Sequence, residues 1–290
     1  MNLRKSWMRG AFVAGAAALV MTGCGSSSSV RPVAQPSTSG VQPASSAAAA
    51  NYNLNDPTKL TVGMNLQFKP EMYLQDGKPA GYDVDLLQKL ATSMGVKLDI
   101  QNLDFNGLIP GLQSKKFDLV SVGLSDTVQR RTAVDFTRGY VPYVQILGVP
   151  QNTKTPATIE AYNMGGKTIT ALQGSTGEKL AATTFPNAKQ ATFPDQNAAL
   201  LQVATGRADG IVVENYLLAQ FQKSNPGKLK EATLSKPLAL EYGSYAVQKG
   251  NAAFVQYLNE WLCSAQKDGS LAKTYEAAFG VDKAPEFPVC

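Results

Sequence analysis

The chain has 290 residues, of which 27 are Lys or Arg, 22 are Asp or Glu and none is His, for a formal net charge of +5. Arg4, Lys5 and Arg9 supply the excess over +2, and the remaining charges are scattered without a basic stripe interleaved with aromatics, which argues against nucleic acid as a partner. The absence of histidine removes His-paired nucleophiles and the commonest zinc ligand, and the three cysteines fit no metal spacing, so neither metal nor cofactor is expected.

The first 23 residues read as a signal peptide. A basic start is followed by an apolar stretch from Ala11 to Met21, about the length of a secretory core and short for a bilayer span. It ends in Met21-Thr22-Gly23-Cys24, which resembles a bacterial lipobox, with Met21 where leucine is usual. Cleavage before Cys24 would make it the lipidation site, and several acyl chains at about 0.8 kcal/mol per methylene give lasting attachment to the membrane. Residues 24–54, rich in Ser, Ala, Pro, Gln and Gly, bury too little apolar surface to offset their ordering entropy. They read as a tether averaging about 30 Å. With Cys24 lipidated, Cys263 and Cys290 are left as a disulfide pair in an oxidising compartment, the alternative being two free thiols.

Beyond the tether, strands and helices alternate. Leu60–Met64 reads as a strand, followed by a helix capped by Asp83, with Val84, Leu87, Ala91 and Met94 on one face and Gly95 as its stop. Strand Lys97–Gln101, helix Gly107–Lys115 and strand Asp118–Val122 follow, then an extended run over Tyr140–Val149. A second alternation comprises strand Thr168–Leu172, helix Thr176–Phe185, strand Gln190–Phe193, helix Asp195–Thr205, strand Gly210–Val213 and helix Asn215–Lys223. Tyr242–Val247 is extended again, and Ala252–Lys267 is an amphipathic helix. Such alternation predicts two α/β units with mainly parallel strands, whose ligands sit at the carboxyl ends of those strands.

Several segments, in order, resemble the family 3 extracellular solute-binding proteins, the polar amino-acid binders of ABC importers. They begin with Leu60-Thr-Val-Gly-Met, Phe68-Lys-Pro and Asp76-Gly-Lys-Pro-Ala-Gly-Tyr-Asp-Val-Asp-Leu86. They continue with Phe105-Asn-Gly-Leu-Ile-Pro-Gly-Leu112, Phe117-Asp-Leu-Val-Ser-Val-Gly-Leu-Ser125, Thr127-Val-Gln-Arg-Arg131 and Val134-Asp-Phe-Thr137. Gln173-Gly-Ser-Thr-Gly-Glu178, Gly206-Arg-Ala-Asp-Gly-Ile-Val-Val-Glu214 and Asp268-Gly-Ser-Leu complete the set. The resemblance implies a periplasmic-binding-protein-like type II fold: two α/β lobes, a two-strand hinge and a cleft between them. Lobe 1 would be discontinuous, residues 55–147 and 243–282, lobe 2 residues 148–242, and 283–290 a tail. The crossings are expected near Leu147–Gln151 and Glu241–Tyr245.

By the same resemblance, Arg130 is the guanidinium fork for a ligand carboxylate, with Ser125 beside it and Ser175 and Thr176 facing it from the other lobe at a helix start. Glu214 stands where the family has an aspartate for the ligand ammonium, and the Gly123 carbonyl is a second acceptor. Phe68 and Phe105 take the positions of rings that sandwich the ligand. Asn65, often an aspartate in binders of cationic amino acids, together with apolar Leu172 and Val213, points to a neutral polar ligand such as glutamine; Arg138 is a further cation without an assigned place. The expected activity is capture of a free amino acid by hinge closure in a monomeric, membrane-anchored, extracytoplasmic protein, and delivery to an ABC importer permease. Two other readings attach to the resemblance. One is a cyclohexadienyl dehydratase with Glu178 as general acid; the other is a sensing subunit for a membrane receptor.

Overall fold

The structure, a computed structural model, describes residues 52–290. The expected signal peptide, Cys24 and nearly all of the tether lie outside the described residues. Among those described, no helix is long and apolar enough to cross a membrane.

One nine-stranded sheet runs through the molecule. At one end, β1 (Lys59–Met64) lies between β5 (Lys97–Asn102) and β6 (Leu119–Ser125), all parallel. At the other, β8 (Thr168–Leu172) lies between β9 (Lys189–Phe193) and β10 (Gly210–Glu214), again parallel. Between the two sets run the long antiparallel strands β7 (Val134–Pro150) and β12 (Ala239–Gln248), with the short β11 (Leu229–Glu231) on the far stretch of β7. A small antiparallel sheet, β2 (Gln67–Phe68), β3 (Met72–Gln75) and β4 (Lys78–Ala80), caps the first set.

The pairings of β7 and β12 define the hinge. From Val134 to Gln145, β7 pairs with β12; from Gln145 to Gly148 it pairs with β10 of the second set. The exchange falls at Gln145, before the expected Leu147–Gln151, because Ile146 and Leu147 are already in register with Val213 and Val212. Strand β12 pairs with β7 along its whole length, and from Gly243, which faces Ser125, it pairs with β6 as well.

Helices cover both faces of the sheet. In the first lobe these are α1 (Tyr82–Met94), the 3₁₀ turn Phe105–Gly107 with α2 (Leu108–Gln113), α3 (Val128–Arg131), α8 (Ala252–Lys267) and α9 (Ser270–Phe279). The second lobe carries α4 (Ile159–Tyr162), α5 (Thr176–Thr184), α6 (Gln196–Ala204) and α7 (Asn215–Ser224). Strands β1 and β6 are buried on both faces, as parallel strands between helix layers must be, and read as near-continuous apolar runs. A second apolar cluster around Leu147, Ile169, Phe185 and Val212 fills one side of the far lobe.

One predicted cap is corrected. The helix starts at Tyr82 after Gly81, whose φ of 113° suits glycine, and Asp83 is turned inward rather than capping. Its Oδ2 accepts hydrogen bonds from Ser121 Oγ (2.5 Å) and Tyr140 Oη (2.6 Å), with no cation paired to it. Burial pushes this carboxyl up to about 7. At the far end of the chain, Cys263 in α8 and the terminal Cys290 are joined by a disulfide with Cα atoms 5.6 Å apart.

Candidate ligand-binding cleft

The carboxyl ends of β1, β6, β8 and β10 converge where β7 and β12 cross, which is where α/β sheets hold their ligands. The cavity there spans about 480 Å³ when the open space at its mouth is counted. Eight of the nine ligand contacts assigned from sequence line it: Phe68, Phe105, Gly123, Ser125, Arg130, Ser175, Thr176 and Glu214.

Arg130 comes from α3, whose first turn is fixed by the Thr127 hydroxyl accepting from the Arg130 amide. Its guanidinium donates to the Ser125 carbonyl (2.9 Å) and, across the cleft, to the Gly174 carbonyl (3.1 Å). Its centre lies 5.8 Å from the Phe105 ring centroid, a cation–π distance. Burial pulls its pKa down to about 10, opposed by the carboxylate of Glu241, so it remains charged at neutral pH.

The hydroxyls divide unevenly. Ser175 is the N-cap of α5: its Oγ accepts from the Glu178 amide (3.1 Å) and donates to the Leu172 carbonyl (2.7 Å). Its single proton is therefore committed, which corrects its expected role as a ligand donor. Ser125 Oγ and Thr176 Oγ1 both donate to Glu241 Oε2, each at 2.7 Å. The Phe68 and Phe105 centroids are 6.5 Å apart with planes at 87°, so the rings form a corner of the cavity wall.

Asn65 is not brought to the cavity. Its Nδ2 donates to the Leu103 carbonyl at 2.7 Å and its Oδ1 accepts from Gln67 Nε2, which leaves it tying loops together beside the site. Arg138 also lies elsewhere, against the disulfide, Gln266 and the tail at Pro288. Leu172 lines the wall, whereas Val213 is buried behind it. Glu178 is outside the cavity, its Oε2 accepting from the Gly174 amide at 2.5 Å.

Sequence reading missed four polar groups of the wall or its edge. Glu71, 1% exposed, accepts from the Tyr143 hydroxyl with one oxygen and from Tyr216 Oη (2.6 Å) with the other. Burial, the neighbouring Asp83 and, further off, Glu214 push its pKa well up against those two hydrogen bonds. Gln145, at the β7 exchange point, donates to Glu214 Oε1 (2.8 Å), while its own Oε1 is buried without a partner. Glu214 is pushed up mainly by burial. Gln196 presents an unpartnered Nε2, and Glu241 sits on the hinge strand. Arg130 is the only cation lining the cavity among the described residues, against the acids Glu71 and Glu214. No cluster suited to a metal is found among the described residues.

Residues 60–281 match the bacterial extracellular solute-binding proteins, family 3. The chain belongs to that family. It is 31% identical over 234 residues to the probable amino-acid-binding protein YxeM of Bacillus subtilis, covering 78% of this chain and 86% of the relative. A solved ancestral arginine-binding protein bound to arginine superposes with a TM-score of 0.70 at 31% identity, covering 77% of this chain and 99% of the other. The chain is also 26% identical to the cyclohexadienyl dehydratase of Pseudomonas aeruginosa over 228 residues, covering 75% of this chain and 81% of that enzyme. The family places the chain among extracellular solute binders, and its fold is the type II two-lobed one.

Proposed function

We propose that this protein binds a free polar amino acid in the cleft between its lobes and delivers it to an ABC importer. The observation that carries this reading is the polarity of one cavity. An anion-binding end is built from Arg130, Ser125 and Thr176, an acceptor end from Glu214, Glu71 and Gln145, and Phe68 and Phe105 form an apolar corner between them. An α-carboxylate suits the guanidinium and hydroxyls, and an α-ammonium suits Glu214. Closure is favoured because the donors come from both lobes, so a bridging ligand stabilises the closed form. Lipidation at Cys24, anchoring outside the cytoplasm and a monomeric state complete the reading, supported by the lipobox-like Met21–Cys24 pattern and the tether composition.

On the side chain, the case from Asn65 for a neutral ligand such as glutamine falls away with Asn65 outside the cavity. The acids and the unpartnered Gln145 Oε1 favour a donor-rich, cationic side chain such as that of arginine or lysine. The dehydratase reading is weakened by Glu178, whose carboxylate is engaged by its own loop. A thermal-shift panel on the purified protein with all the standard amino acids, arogenate and prephenate tests the proposal. A ligand at a hundred times its Kd adds about 2.7 kcal/mol of stability. Stabilisation by one or a few amino acids, abolished in Arg130→Ala, is expected; no response to any amino acid refutes it.

A further inference from the structure

The donors assigned to the ligand carboxylate already hold a carboxylate. At the edge of the cavity, Glu241 of the hinge strand β12 places one oxygen, Oε2, 2.7 Å from both Ser125 Oγ and Thr176 Oγ1. Ser125 ends β6 of one lobe and Thr176 opens α5 of the other, so a single oxygen ties the two lobes together. The distances are those of charge-assisted O–H···O⁻ bonds. A hydroxyl has one proton to donate, and here both protons are spent on Glu241. An amino acid that engages Ser125 and Thr176 through its α-carboxylate has to displace this side chain first. An amine without a carboxylate has no such competitor. It brings only donors, and the lining acids Glu214 and Glu71, with Glu241 at the edge, are acceptors.

We propose that Glu241 is a specificity-determining residue of this site: its carboxylate occupies the seat of the ligand's α-carboxylate, so that it competes with amino acids and favours the corresponding amines. The proposal rests on reading Ser125, Arg130 and Thr176 as the ligand-carboxylate set. It also couples selection to the hinge, because the displaced residue lies on β12 two positions before Gly243, where pairing with β6 of the first lobe begins.

The test is calorimetric titration of the full folded protein with L-arginine and with agmatine, its decarboxylated counterpart, in wild type, Glu241→Gln and Glu241→Ala. Glu241→Ala is expected to bind arginine about tenfold more tightly, equivalent to about 1.4 kcal/mol, and agmatine about tenfold more weakly. Glu241→Gln, which keeps an acceptor and loses the charge, should fall between and serves as the conservative variant should the alanine protein fold poorly. An arginine-to-agmatine ratio that neither variant moves, or that moves the other way, overturns the proposal while leaving the amino-acid reading intact. If no version binds either ligand while another amino acid stabilises the wild type, that amino acid and its decarboxylated amine replace the pair and the same ratio decides. No binding of any amino acid or amine by any version overturns both readings.

Discussion

Glu71 provides the sharpest test of which ligand the cleft takes. Its carboxylate is buried in the wall, held by two tyrosine hydroxyls and faced by no lining cation except Arg130 among the described residues. A ligand cation about 5 Å away, at an effective dielectric constant of about 20, would gain about 3 kcal/mol, or roughly two orders of magnitude in affinity. Glu71→Gln keeps the shape and an acceptor while removing the charge, so arginine binding measured by calorimetry should fall by about that much at a pH where Glu71 is ionised in the free protein, and by less below it, while glutamine binding should change little. The pH dependence has a definite sign. Burial raises the pKa of Glu71 in the free site, and a bound cation favours its ionised form, so binding a cationic ligand releases a proton. Affinity for arginine therefore rises with pH while Glu71 is protonated in the free protein, by up to about tenfold per pH unit, and levels off once it is ionised. In Glu71→Gln the slope should vanish. Arginine affinity unchanged by the substitution, with no proton released across buffers of different ionisation enthalpy, would refute the cationic reading and return the site to a neutral ligand.

Arg130→Lys keeps a charge but loses the fork that reaches Ser125 and Gly174 together, so ligand affinity should drop at least about tenfold by calorimetry; wild-type affinity would show that the geometry of the fork is irrelevant. Gly123 has φ +55°, and an added Cβ would lie 1.5 Å from Tyr143 Oη and 2.7 Å from Glu71 Oε1. Gly123→Ala should therefore displace the Glu71–Tyr143 pair, lower the melting temperature by several degrees through about 1–3 kcal/mol of overpacking, and impair binding; an unaltered melt would contradict this packing. Asp83, raised to about 7 by burial from an ordinary value near 3.9, holds its proton longer in the folded state. Its contribution is present in full below the ordinary value and is lost as pH rises towards 7, so Asp83→Asn should flatten that part of the stability–pH curve in thermal melts, and an unchanged curve would argue against a buried neutral carboxyl.

What could be read from the chain and what could not divide along a physical line. Elements with strong periodicity emerged almost to the residue: Thr168–Leu172 and Ala252–Lys267 have the predicted limits. A buried parallel strand and an amphipathic helix each write their burial directly into the order of apolar residues. The small sheet over Gln67–Ala80 and helix α9 did not emerge, because two- to four-residue strands have no period and α9 is anchored by aromatic contacts of Tyr275 and Phe279 with residues far away in the chain. Asp83 looked like a cap because a carboxylate at a helix start usually is one; only the approach of Ser121 and Tyr140 from other strands turns it inward. The cleft follows the same rule. Thr176 and Glu214 lie at the ends of elements that the sequence pattern implies, Ser125 lies three residues past a predicted strand, and Arg130 was legible only through the family resemblance of Thr127–Arg131. Glu71 and Glu241 lie in a short turn and a hinge strand, where neighbours in the sequence say nothing about neighbours in space. These two acids are also the ones on which ligand choice turns. The Ser125–Glu241–Thr176 bridge forms only when both lobes and the hinge are in place together, so the feature with the greatest bearing on what the cleft admits is a product of tertiary structure alone.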